Sequence, residues 1–385
     1  ADEDVTARHT AYFAEFAERA DRGLGSHEGA AWFARVSSEY LNLRAAHTQA
    51  DPVTAARIVL GINRFWQKGW HIREGREWHR RLLTDAADRL PEGVRGRVME
   101  SAAFLAIKQD DQATALSLGE ESLRIGRRIG DHDLVAQALN IVGLVARQSG
   151  DLDKARACFG ECVEIEQAHG KRDNVLAAAR GNLSIIARFE GDLHTARELM
   201  RHNVELDRVV GNLRTLSLDL VGLGDVCVDL GDAAAARPLL TEAVEISRQI
   251  GDMGGEAYAF HILGRLTRLE GDPVEAYRLY TAAIRIHHGF GDRFAVLYTL
   301  SSLVDLLSTV DAASAARMLG AVEVIREQDS TPMTKHQLAV RDGTLRRVRA
   351  VLTDAELDAA MAAGAAMDLD ALVARAFEVD PAAFA

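Results

Sequence analysis

Apolar side chains fall at i, i+3, i+4 and i+7 along VAQALNIVGLVARQ (135–148) and KARACFGECVEIEQA (154–168), the spacing of one helix face, with Ala, Arg and Glu filling the other positions. Stretches of this kind are separated by glycines at fixed intervals. Gly150, Gly191, Gly231 and Gly271 lie 41, 40 and 40 residues apart, and each is followed five residues later by alanine: Ala155, Ala196, Ala236, Ala276. A second set runs out of phase with the first: Gly130, Gly170, Gly211, Gly251 and Gly291, at intervals of 40, 41, 40 and 40. The first offset also finds Asp110 with Ala115 and Val310 with Ala315, and more loosely Gly69 with Gly75, which makes about seven units. Glycine closes a helix by taking a left-handed conformation, and the Asp that usually follows caps the next helix. The repeating unit is therefore a helical hairpin of about 40 residues.

Small residues at Ala103, Gly143, Ser184, Gly224 and Gly264, seven before the turn positions, let the two helices of a hairpin approach closely, and each hairpin buries its remaining apolar face on the next. A long coiled coil is excluded, since it needs an unbroken period of seven. The predicted fold is all-α, a right-handed superhelical solenoid of hairpins. Residues 1–50 are expected to cap its start, 51–328 to form the array, and 329–385 to supply acidic capping helices, with a loose connection around Gln328–Thr334 and Pro332.

A Gly-Asp turn with a small residue seven before and alanine five after resembles the tetratricopeptide (TPR) pattern, with each helix nearly a turn longer than in the usual unit of about 34 residues. The ends are more specific. Glu39-Tyr40-Leu41-Asn42-Leu43-Arg44-Ala45-Ala46 resembles the E-x-x-N-L-R-A-A signature that opens the sensor region of signal-transduction ATPases with numerous domains (STAND), among them LuxR-type large regulators and actinobacterial antibiotic-regulatory proteins. NRFWQKGWHIREGREWHRRLL, through Trp66, Gly69, Gly75, Arg76 and Trp78, is similar to their first TPR unit. AARMLGAVEVIRE and LTDAELDAAMAAGAAMDLDALVARAF are similar to their closing helices. The resemblance implies a C-terminal sensor and interaction arm of a bacterial transcriptional regulator. No G-x₄-G-K-[ST] loop and no helix-turn-helix occur, so ATPase and DNA-binding modules are expected elsewhere in the parent protein. A stand-alone peptide-binding scaffold or peptide-pheromone receptor is the alternative.

The net charge of −12 argues against direct nucleic-acid binding, and half of it lies in 351–385, where seven acids face Arg375 alone (1 − 7 = −6). No apolar run is long enough to span a membrane. The N-terminus lacks a secretory signal, which suggests a cytoplasmic chain, and lacks Met, which suggests a processed chain or a piece of a longer one. Three cysteines exclude a disulfide framework and a Cys-based zinc site. Cys158, Cys162 and Cys227 read as small core residues. His287 and His288 are adjacent and point in different directions, and His71 and His79 are eight apart, so no metal is expected. No nucleophile elbow occurs, the Gly222–Gly224 run lies inside a helical unit, and Glu120-Glu121 reads as solvated helix face; no enzyme activity and no cofactor are expected. Trp66, Trp70 and Trp78 read as core and cap packing.

Binding is the work left for such a scaffold. The first helices of successive hairpins line the concave groove, where a protein, a peptide or a small-molecule effector would sit. Counted back from the turns, the polar candidates there are Asn140, Arg147, Arg188, Asp225, Asp229, His261, Arg265 and Arg268, with Asn182 from the neighbouring row. Arg147, Arg188, Arg265 and Arg268 suggest a cationic ladder for a carboxylate, a phosphate or an acidic peptide, with Asp225 and Asp229 fixing polarity.

Overall fold

The computed structural model describes residues 2–26, 28–68, 71–170, 174–329, 333 and 335–384. Among them the regular elements are all helical, in TPR-like hairpins, and there is no strand. The chain forms two compact units, Ala1–Ile186 and Ala187–Ala385.

Unit 1 opens with α1 (Asp2–Leu24), α2 (Gly29–Ser38), α3 (Tyr40–Gln49), α4 (Pro52–Gly61), α5 (Asn63–Lys68) and α6 (Ile72–Asp85). Their shared core contains Phe13, Leu43, Ile58, Trp66 and Trp78. Trp66 Nε1 donates to the Tyr40 hydroxyl at 2.9 Å, and the Trp78 ring stacks on His47 with centroids 4.3 Å apart. Those two tryptophans are core, as expected; Trp70 and Gly69 lie outside the described residues. The Glu39 side chain accepts from Asn42 Nδ2 at 2.7 Å, so the first and fourth residues of the 39–46 run hold one another at the start of α3. Regular hairpins follow: α7 (Glu92–Ile107) with α8 (Gln112–Ile129), then α9 (His132–Gln148) with α10 (Leu152–Ala168), then α11 (Asn174–Glu190), within which unit 1 ends.

Unit 2 continues with α12 (Leu193–Val210), α13 (Leu213–Asp229) with α14 (Ala233–Ile250), α15 (Met253–Leu269) with α16 (Pro273–Gly289), and α17 (Arg293–Leu307) with α18 (Ala312–Gln328). It closes with α19 (Lys335–Arg349), α20 (Asp354–Ala365) and α21 (Leu369–Phe377). The connection proposed around Pro332 lies largely outside the described residues.

The turns behave as the spacing requires. All nine glycines of the two interleaved sets have φ between 64° and 88°. At Gly271 an added Cβ would meet nothing within 4 Å, so the backbone conformation, not crowding, demands glycine there. Asp110 fills the equivalent place at φ 57°, a conformation Asp tolerates better than most residues. The next residue then caps the following helix: Asp151 accepts from the Lys154 amide, Asp232 from Ala235 and Asp292 from Ala295. Close approach within a hairpin is equally regular. A Cβ added at Gly143 would lie 2.8 Å from Phe159, one at Gly224 2.6 Å from Leu240, and one at Gly264 2.7 Å from Tyr280, each partner 16 residues further on (143 + 16, 224 + 16, 264 + 16). Cys158, Cys162 and Cys227 are buried, as expected of small core residues.

Candidate ligand-binding site

Helices α13, α15 and α17 pack side by side within unit 2, and α19 packs on α17. Their N-caps are Asn212, Asp252 and Asp292. Thirteen residues on from each cap (212 + 13, 252 + 13, 292 + 13) come Asp225, Arg265 and Asp305, which therefore stand at one level with alternating sign. The alternation extends to both sides, to Arg188 at the end of α11 and to Arg347 on α19.

These charges form two clusters. In the first, Arg188 reaches Asp225 at 2.8 Å and Asp229 at 2.6 Å, and Arg265 pairs with Asp225 and with Asp229, the latter at 2.6 Å. Two guanidiniums and two carboxylates make a closed ring. Arg265 is 9% exposed. Burial alone would depress the pKa of either arginine, but Asp225 and Asp229 outweigh it and hold both above the usual arginine value. In the second cluster Asp305 pairs with both Arg268 and Arg347 and accepts from Thr344 Oγ1 at 2.8 Å, while Arg347 Nε donates to Ser308 Oγ at 2.8 Å. Here the balance reverses. Burial lowers the pKa of Arg268, and burial together with the Arg268 charge lowers that of Arg347.

A pocket of about 440 Å³ opens between the two clusters, lined by Arg188, Asp229, Arg265 and Arg268 with Tyr280 and Ser302; Val228, Leu269 and Val340, with Leu193, are its aliphatic walls. Behind it, His261 stacks on Tyr298 with centroids 4.5 Å apart, and its Nδ1 lies 3.1 Å from Thr299 Oγ1. Burial pushes the Tyr280 phenol up to about 12, against the pull of Arg268 and Arg265. Arg326 is buried too, but its guanidinium donates to the Leu297 carbonyl and Ser301 Oγ and does not line the pocket.

The nine residues picked out from the sequence do not form one site. Asp225, Asp229, Arg188 and Arg265 meet in the ring, Arg268 stands at its edge, and His261 belongs to the aromatic support. Asn140, Arg147 and Asn182 lie in unit 1. Asn140 Nδ2 donates to the Val175 carbonyl at 3.2 Å, tying α9 to α11, and Asn182 Nδ2 donates to its own helix at the Ala178 carbonyl, 2.9 Å away. Arg147 has no anionic partner among the described residues, and burial lowers its pKa. The expected cationic ladder is thus corrected: Arg188 and Arg265 are neutralised inside the ring, and the sign alternates from helix to helix.

Asp305, Arg347, Tyr280, Tyr298 and Ser302 are additions. Val310 follows Gly271 by 39 residues instead of 40, so counting six back from it reaches Val304, one short of Asp305; counting forward from the caps recovers the position. Unit 1 has a larger pocket, about 680 Å³, beside Arg73, Arg76 and Arg80. There Arg76 pairs with Asp111 and Arg80 with Glu77 of its own helix, and Arg80 and Glu77 are 60% and 38% exposed, so water screens that pair. Among the described residues no group of three or more His, Cys, Asp or Glu is placed to hold a metal, and no helix is long and apolar enough to cross a membrane.

Residues 95–168 match the tetratricopeptide repeat family model. No curated protein matches the chain in sequence. Among solved structures, the apo quorum sensor NprR from B. thuringiensis is similar at 12% identity and a TM-score of 0.63, over 80% of this chain and 83% of that one. A Rap protein complexed with competence and sporulation factor aligns at 12% identity and TM-score 0.56, over 94% of this chain and 99% of that one. A STAND protein with a tetratricopeptide repeat sensor, from Pyrococcus horikoshii, aligns at 14% identity and TM-score 0.58 over 87% of this chain, which spans 51% of its length. At these identities the likeness is one of fold, and the fold it places the chain in is that of TPR-like helical solenoids.

Proposed function

We propose that the chain is a non-enzymatic binding module, the TPR sensor and protein-interaction arm of a STAND-type transcriptional regulator, working in the cytoplasm. The carrying observation is the face shared by α13, α15 and α17, where buried charges of alternating sign surround a pocket of about 440 Å³, within the usual size range of ligand sites. A core element gains nothing from such an arrangement, because replacing a buried ion pair by apolar residues is often neutral or stabilising. The 39–46 run and the likeness to a STAND sensor support the family reading. A ligand or partner held there shifts the arm between two arrangements only by the difference in its affinity for them. That shift would pass to an ATPase module encoded elsewhere in the parent.

The second reading, a stand-alone peptide receptor, is favoured by the likeness to the Rap protein along 94% of this chain. A P-loop encoded in the same reading frame separates the two. Binding itself is tested by native mass spectrometry of the chain purified from its host. A retained organic species, released on denaturation, supports the module. A bare mass, with amide exchange unchanged on adding host extract, overturns it.

A further inference from the structure

The two charge clusters differ in their balance. The ring has two cations and two anions, whereas Arg268 and Arg347 share Asp305, their one anionic partner among the described residues. The undescribed residues of the α18–α19 connection contain no Asp or Glu. The second cluster is therefore one negative charge short, in surroundings that already disfavour the charged form of both arginines.

What surrounds the deficit is suited to an anion. Arg268 lines the pocket together with the side chains of Tyr280 and Ser302, whose hydroxyls have no hydrogen-bond partner among the described residues. Val228, Leu269 and Val340 supply apolar wall beside these donors. We propose that the pocket binds a monocarboxylate carrying an apolar body, its carboxylate paired with Arg268 and accepting from Tyr280 and Ser302, its body against the three aliphatic side chains. One carboxylate supplies the missing charge. A phosphate dianion exceeds it and would face Asp229 on the pocket wall. The shared chemistry fits a free carboxylic acid or the C-terminal residue of a peptide. The inference rests on the binding-module reading and specifies its ligand.

The test is calorimetric titration of the whole chain with hexanoate, 1-hexanol, inorganic phosphate, and the peptide Ala-Leu-Leu as free acid and as C-terminal amide. Saturable hexanoate binding is expected, with 1-hexanol and phosphate at least tenfold weaker. Arg268→Gln leaves Asp305 paired with Arg347 and should weaken hexanoate at least tenfold. Ser302→Val, which fills the pocket and alters no charge, should do the same, while Arg8→Gln on the exposed face of α1 should change nothing. Tighter binding of the peptide acid than of hexanoate, lost in the amide, identifies a peptide C-terminus as the source; the reverse order identifies a free acid. Equal binding of hexanoate and 1-hexanol, wild-type affinity in Arg268→Gln, or no binding of either acid overturns the inference. The parent reading fails separately. A host species retained equally by wild type and Arg268→Gln keeps the module and removes the carboxylate, whereas a bare mass with unchanged amide exchange removes the module.

Discussion

Removing one charge from the ring should cost far more than removing one from the surface. Asp225→Asn keeps the side-chain shape but leaves Arg188 and Arg265 with Asp229 as their one carboxylate. Two charges about 4 Å apart interact by about 4 kcal/mol at an effective dielectric of about 20, and breaking a buried pair by removing one partner costs about 3–5 kcal/mol. Asp229 still touches both arginines, and the amide oxygen still accepts a hydrogen bond, so we expect a loss at or just below the bottom of that range, about 2–3 kcal/mol. A hairpin array need not melt as one unit, so the readout is local: native-state hydrogen exchange of the α13 and α15 amides. At 1.4 kcal/mol per tenfold, they should exchange roughly 30- to 150-fold faster. Arg188→Gln added to Asp225→Asn restores one cation to one anion and should recover about half of the loss, in a double-mutant cycle. The control is Glu18→Gln. Its pair with Arg57, at 2.7 Å, is 42% exposed on both sides and should contribute under about 1 kcal/mol. Exchange in Asp225→Asn no faster than in the control, or a double variant costing the sum of the singles, would refute the reasoning.

Three further outcomes are expected. Where α20 crosses α18, a Cβ at Gly364 would fall on the Arg317 carbonyl oxygen and one at Gly320 on that of Met361, so Gly364→Val should undock α20 and open residues 354–377 to limited proteolysis before any other part of unit 2. Burial first, and then the charge of Asp207, raise the Asp219 carboxyl to about 8. The folded state then holds a proton that the unfolded state releases near pH 4, so this contribution to stability is present below pH 4 and is lost as pH rises through 8. Asp219→Asn should remove that slope and stabilise unit 2 at pH 9 by on the order of 2 kcal/mol in urea titrations, a figure discounted for its partly exposed edge. In unit 1 the sign is opposite. His79 lies buried between the Gly75 carbonyl, 2.7 Å away, and Ser101 Oγ, 2.8 Å away, and burial lowers its pKa to about 4. Its contribution is present above pH 6.5 and lost as pH falls through 4, so His79→Gln should flatten unit 1 unfolding across that window by about 3 kcal/mol.

The fold was legible because its punctuation is chemical. Left-handed glycine followed by a capping Asp or Asn is a local requirement, and the turns at Gly130, Gly150, Gly191, Gly211, Gly231, Gly251, Gly271 and Gly291 meet it with residues adjacent in sequence. The close-approach positions were legible for the same reason: Gly143, Gly224 and Gly264 recur at one offset from the turns. The site was only half legible. Repeat register placed Asp225, Arg265 and Arg268 on a common face, but their pairing depends on which charge the neighbouring helix presents at that level. Register therefore grouped Arg188 with Arg268 as like charges, although one is closed into a balanced ring and the other is left in an unbalanced trio. Arg347 lies past the last repeat, where no period reaches, and the one-residue shortening before Val310 put Asp305 out of frame.

The claim that the α13–α15–α17 face receives the ligand is tested most directly by hydrogen–deuterium exchange of the intact chain with and without saturating hexanoate. Protection confined to 213–229, 253–269, 273–289, 293–307 and 335–349, and absent in Arg268→Gln, is the predicted result. Protection around 73–118 in unit 1, or a pattern identical in wild type and Arg268→Gln, would contradict it.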